Sequence, residues 1–253
     1  MRNCVIRAIA ALVGASVFMF AETALADEIR VMSSNAFRQA YLELVPDFEK
    51  ASGHTLVTSF VGGVDLMKRM KAGENVDLVI LAGKSLDELI QLGKVVPGSR
   101  VDLAKSGVGV AVRSGAPRPE ISSGAALKQA LLAAKSVGYS TGASGVHLVK
   151  VFERMGIASE LKAKSKQAPP GVPVGDLIAR GEVELGFQQL SELLPVAGID
   201  VIGMLPPDDQ EFTVFSAGIH AGAKEPAAAK ALAQFLASPA TAPVKRKKGM
   251  EPP

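Results

Sequence analysis

The sequence has no tryptophan, two tyrosines, three histidines and a single cysteine in 253 residues. Aromatic residues make up 5% of the chain against 48% hydrophobic residues, so the cores must be built from Ala, Val, Leu and Ile. One cysteine cannot form a disulfide within the chain. Cys4 also lies ahead of an apolar run and not at a cleavage position, so it does not read as a lipid-bearing cysteine. His54, His147 and His220 lack the spacing of a metal site. Neither sign of charge dominates. The formal +3 falls by one if Arg2, Arg7 and Glu22 are removed, which argues against a nucleic-acid partner. No G-x-S-x-G or phosphate-binding loop motif occurs, and Asp and Glu are scattered over expected helix surfaces. These absences predict no catalytic residue, no metal and no cofactor, hence a chain that is not an enzyme.

One long hydrophobic run is present, and it is N-terminal. Arg2 and Arg7 precede the apolar residues 8–20, and Ala24-Leu25-Ala26 gives a small-x-small cleavage pattern. The run is short for a membrane span. Residues 1–26 are therefore expected to be an export leader cut after Ala26, leaving a periplasmic chain with no cysteine and no stable membrane insertion. A cysteine-free mature chain excludes thiol nucleophiles and suits an oxidising compartment.

Apolar strand patterns alternate with helical ones from residue 28 onward, which predicts βαβ units and mostly parallel sheets. Val76-Asp77-Leu78-Val79-Ile80-Leu81 reads as a strand buried on both faces. Pro46 should bend or restart the first helix, and Gly53 should end it. Residues 107–113 form a glycine-containing strand with no helix returning at once, and residues 212–221 form a second such strand. Both read as crossings between two lobes, one of residues 27–107 with 214–253 and one of residues 108–213. Lys245-Arg246-Lys247-Lys248 reads as a solvated helix end.

Candidate binding residues lie where strands run into helix starts. Tyr139-Ser140-Thr141-Gly142-Ala143-Ser144-Gly145-Val146 passes from strand through small residues into a helix, where free N–H groups and the positive dipole end can meet an anion. Ser33 and Ser34 offer a similar turn, since capping needs only one hydroxyl. Gly62 and Gly63 allow close backbone approach. Gln188 and Gln189 end a strand on the side where α/β sheets place ligands, with one expected in the cleft and the other turned to solvent or core. Arg113, at the end of a crossing strand, could take a carboxylate bidentately. His147 reads as a surface or capping residue.

The leader, the Ser33-Ser34 turn, Phe60-Val61-Gly62-Gly63, Asp77-Leu78-Val79-Ile80, Arg180-Gly181-Glu182-Val183-Glu184-Leu185-Gly186 and Lys248-Gly249-Met250-Glu251-Pro252 occur in an order that resembles the periplasmic molybdate-binding proteins of ABC importers. The resemblance spans the mature chain. It implies the type II periplasmic-binding-protein fold, with two α/β lobes joined by two crossing strands as hinge and a ligand held between them. It also implies a monomer that delivers its ligand to an ABC permease and its ATPase. The chain departs from that family at two places. No hydroxyl follows Gly63, where Val64 stands, and Gln188-Gln189 fall where the family places a ligand-facing tyrosine. With Ser140, Thr141 and Ser144 adding hydroxyls, the expected solute is a small anion, either an organic di- or tricarboxylate or a molybdate-like oxyanion. The alternatives are an effector-sensing module and a hydrolase or lyase of small acids.

Overall fold

A computed structural model describes residues 27–253; the expected leader, with Cys4, lies outside the described residues. β1 (Glu28–Ser34) buries Ile29, Val31 and Met32 and passes through a single 3-10 turn (Asn35–Phe37) into α1 (Arg38–Ser52). That helix buries Ala40, Tyr41, Leu44 and Phe48 at helical spacing. It runs through Pro46 as one helix and ends at Gly53, whose φ of 77° only glycine adopts without strain. β2 (Thr55–Val61), α2 (Gly63–Lys71), β3 (Leu78–Ala82) and α3 (Gly83–Gln91) follow, each strand feeding a helix directly or through one residue, except that a longer turn precedes β3.

β4 (Val101–Ser106) is a strand that the sequence pattern did not reveal, because Asp102 and Lys105 interrupt its apolar run. Gly107 joins it to β5 (Val108–Arg113). Then come α4 (Gly124–Ala133), β6 (Val137–Tyr139), α5 (Ala143–Arg154), α6 (Ala158–Lys162), β7 (Ser165–Gln167), α7 (Val174–Ala179), β8 (Leu185–Gln189), α8 (Leu190–Leu193) and β9 (Ile199–Met204). β10 (Thr213–Ile219), α9 (Pro226–Ala237) and α10 (Ala242–Lys247) complete the chain.

The strands form two five-stranded sheets, in the orders β2-β1-β3-β10-β4 and β7-β6-β8-β5-β9. β10 is antiparallel to both of its neighbours in the first sheet, and β5 to both of its neighbours in the second. Four strands of each sheet therefore run one way, and the reversed strand in each is the one reached by the crossing chain. Each sheet is covered on both faces. α1 and α9 share one core with the first sheet, and α2 and α3 another. α4, α5 and α6 cover one face of the second sheet, and α7 the other. The architecture is thus two α/β lobes joined by two crossings.

The basic tail departs from expectation. Lys245 is 2% exposed and its ammonium donates to the Leu103 carbonyl at 2.7 Å, while Lys247 and Lys248 meet Glu43 on α1. The segment is docked on the first lobe and is not simply a solvated helix end. Burial lowers the Lys245 ammonium to about 8.

Candidate functional site in the interlobe cleft

A cleft of about 950 Å³ lies between the lobes. Strand direction accounts for its position. β1, β2 and β3 point their C-terminal ends toward it from one lobe, and β6 and β8 from the other. The helices that follow these strands begin at its walls. No side chain caps the 3-10 turn at Ser34, α2 at Gly62, α3 at Ala82 or α5 at Gly142, and all four residues line the cleft. First-turn N–H groups have no partner inside their own helix, so uncapped helix starts from both lobes favour negative charge in the space they share.

Of the residues expected to bind, Ser34, Gly62, Gly63, Ser140, Thr141, Gly142, Ala143, Ser144, Val146, Gln188 and Gln189 come together along this cleft. Ser33, Arg113 and Gly145 do not. Ser33 is fully buried and its hydroxyl donates to the Ser34 carbonyl at 3.1 Å. Arg113 is exposed at the far end of β5. Because β5 runs antiparallel to β8, its first residue pairs with Gln189 at the cleft, and five residues at ~3.3 Å each carry Arg113 roughly 16 Å away. Gly145 packs under the turn, where a Cβ would stand 1.7 Å from the Ser140 carbonyl oxygen.

The hydroxyls and amides divide their duties. Ser140 Oγ accepts from the Gly142 N–H at 3.2 Å and lies 3.0 Å from Ser144 Oγ, so these two hydroxyls knit the turn together. Ser34 Oγ is buried with no hydrogen-bond partner. Both glutamines reach the cleft, where only one was expected to. Gln188 Oε1 accepts from the Val174 N–H at 2.8 Å, whereas the Gln189 amide donates to Thr213 Oγ1 at 2.9 Å and leaves its Oε1 unpartnered. Buried polar atoms without partners are rare in folded proteins, and these two lie on one cleft.

Charged groups were the part the sequence did not disclose. Lys68 on α2 and Lys150 on α5 line opposite walls, and neither makes an ion pair among the described residues. His147, expected at the surface, is 8% exposed; its Nε2–H donates to the Asp209 carbonyl at 2.6 Å, and Nδ1 lies 2.8 Å from Glu211. Glu211 also meets Lys84 of α3 at 3.1 Å, and that ammonium, aided by His147, holds its carboxyl below the usual range against the effect of burial. Glu192 on α8 lines the cleft, and burial raises its carboxyl from the ordinary 4.5 to about 7, partly offset by a hydrogen bond from Gln188. Its position three residues past Gln189 was the one available signal. The His147 partners lie more than 60 residues away and left none. Among the described residues no group of three or more His, Cys, Asp or Glu is placed to hold a metal ion.

The lobes also touch across the mouth. A Cβ on Gly62 would stand 3.2 Å from the Gly171 nitrogen, so the α2 start and the 168–173 loop meet backbone to backbone. The Lys84–Glu211 pair links α3 to the returning crossing.

Comparison with known proteins extends this geometry. A relative from Pseudomonas sp, named aconitate isomerase, is 40% identical over 230 residues, covering 88% of this chain and 87% of the relative. That likeness to a named enzyme overturns the expectation of a non-enzyme, which rested on missing local motifs; acid–base groups can converge from distant positions without one. The molybdate-binding protein of Azotobacter vinelandii is 27% identical, covering 87% of this chain and 88% of that protein. The solved structure of an Azotobacter vinelandii periplasmic molybdate-binding protein aligns with a TM-score of 0.74 at 22% identity, over 89% of this chain and 99% of that one, which shows a shared fold. The model of the bacterial extracellular solute-binding protein family matches residues 29–251, and the chain belongs to that family.

Proposed function

We propose that this chain is an exported isomerase of an unsaturated tricarboxylate of the aconitate class, working in a cleft inherited from solute capture. The observation that carries the reading is the composition of that cleft. Uncapped helix starts from both lobes and two lysines unpaired among the described residues suit several carboxylates at once, yet a carboxyl likewise without an ion pair there, Glu192, stands among them. A site that moves a proton on a carbon acid needs a titratable group of that kind. The volume of about 950 Å³ also sits at the upper end of the ~300–1,000 Å³ of small-molecule clefts. The 40% identical relative named aconitate isomerase supports the same substrate class.

The chemistry follows from the structure of aconitate. Its methylene lies next to one carboxylate and is conjugated through the double bond to the others. Removing one methylene proton spreads negative charge over the allylic carbons and their carboxylates. Protonating the opposite end moves the double bond and returns the same connectivity, with cis and trans exchanged. One C–H bond breaks and one forms, with no oxidation. Helix dipoles and the Lys68 and Lys150 ammonium groups, already aimed into the cleft, stabilise the charge that develops. Ser34 Oγ, a hydroxyl able to donate, helps fix the orientation of the carboxylates. The family's extracellular setting and the expected leader cut after Ala26 support a periplasmic location for this activity.

Isothermal titration of the mature chain with cis-aconitate, trans-aconitate, citrate, sulfate and molybdate tests the ligand class. Binding of the tricarboxylates in preference to the inorganic anions is expected. Tight binding of molybdate with no heat from tricarboxylates would return the chain to oxyanion capture and delivery to an ABC importer.

A further inference from the structure

Four carboxyl side chains line the cleft, and three are neutralised by neighbours. Asp87 meets Arg100 at 2.7 Å, Glu88 meets Lys71 at 2.5 Å, and Glu211 is shared by Lys84 and His147. Glu192 is the fourth, and among the described residues it makes no ion pair. It belongs to α8, which continues directly from β8 and packs against the 3-10 turn at Asn35–Phe37 of the other lobe. Glu192 thus lines the same cleft as Ser34, on a helix in contact with the turn that follows Ser34. Gln188 is anchored by its Oε1 on the Val174 N–H, so its NH2 is free to hydrogen-bond and orient the Glu192 carboxyl.

The other titratable groups are committed elsewhere. Both nitrogens of His147 face protein oxygens, so neither is open to a substrate carbon. Lys68 and Lys150 flank the cleft as cations, and Arg100 is held by both Asp87 and Asp102.

Resting on the isomerase reading above, we propose that Glu192 is the catalytic acid–base residue. As a carboxylate it takes a proton from the substrate methylene. The electrons of that C–H bond form the new double bond, and the old double bond's electrons move to its far carbon. The Glu192 carboxylic acid then delivers a proton to that carbon. The residue ends as it began, and no second reactant is consumed. A carboxyl raised to about 7 is matched to this task, since transfer is fastest when the group's own value lies near the working pH.

The experiment compares the mature wild-type chain with Glu192→Gln and Glu192→Asp, measuring kcat for cis/trans interconversion and the tricarboxylate Kd by calorimetry. Glu192→Gln is expected to lower kcat by about 10²–10⁴-fold while Kd stays within about threefold. The wild-type rate should bend near pH 7, and that bend should shift in Glu192→Asp. A folded Glu192→Gln with near wild-type kcat beside an active wild type overturns the assignment and leaves the isomerase reading standing. So does a loss confined to Kd. If Glu192→Gln does not fold, Glu192→Asp decides: reduced kcat at unchanged Kd supports the role, and wild-type kcat with an unmoved pH profile overturns it. A wild-type chain that binds tricarboxylate without converting it removes the isomerase reading itself.

Discussion

Glu192 and Lys245 are both ionisable residues whose behaviour is set by burial, and they have opposite consequences for stability. Lys245 titrates near 8 in the folded chain against an ordinary 10.5, so between those values the unfolded chain binds more protons. Stability contributed by this group therefore rises with pH across that window. Urea unfolding from pH 7 to 10.5 should show the rise in the wild type and its loss in Lys245→Met. Glu192 titrates near 7 against 4.5, so the folded chain binds the extra proton and stability falls as pH rises from 4.5 to 7. Ser34 makes a third residue-level test. Its buried hydroxyl has no partner among the described residues, so Ser34→Ala should leave thermal stability nearly unchanged while weakening tricarboxylate binding by about 1 kcal/mol, read by calorimetry. Neither the Glu192 nor the Lys245 environment was legible in the sequence. A Glu in a four-residue helix and a Lys in a basic run look like surface residues until the chain brings a wall against them.

At the scale of elements, the turns were the readable part. Ser34, Gly62-Gly63 and the Ser140–Val146 stretch were found because a strand running into small residues and then a helix has a local signature, and strand direction then carries these turns to one cleft. Arg113 failed at the same scale. Its strand is the reversed one of its sheet, and nothing in Val108–Arg113 reveals that its end points away from the ligand side. β4 was missed because Asp102, which bonds Arg100 and Ser216, breaks the apolar run at a position where the ladder meets solvent on one face. The turn at Gly142 gives the element-level prediction. A Cβ at Gly145 would overlap the Ser140 carbonyl oxygen at 1.7 Å, so Gly145→Ala must push the turn off α5. Overpacking of this kind costs about 1–3 kcal/mol, so a Tm lowered by several degrees together with weakened tricarboxylate binding is expected. An unchanged Kd would take this turn out of the site.

For the molecule as a whole, the two-lobed arrangement was legible from the regular βαβ alternation and its interruption at the crossings, whereas the chemistry was not. The resemblance to molybdate-binding proteins pointed to the fold and to an anion, and the departures at Val64 and Gln188-Gln189 pointed toward a carboxylate. The proposed acid–base group came from neither, because it depends on which carboxyls find a cation once the lobes are assembled. Closure is also a property of this scale. A Cβ at position 62 would stand 3.2 Å from the Gly171 nitrogen, so a larger side chain there must push the 168–173 loop away. Gly62→Val should weaken tricarboxylate affinity by about tenfold or more and reduce the compaction seen by small-angle scattering on adding ligand, since closure depends on contacts made only in the closed form.

The most direct measurement is proton NMR of trans-aconitate incubated with a catalytic amount of the mature chain. Growth of the cis isomer toward an equilibrium mixture, approached equally from cis-aconitate, is the expected result. Stoichiometric binding of either isomer with no interconversion over many equivalents would contradict the isomerase reading.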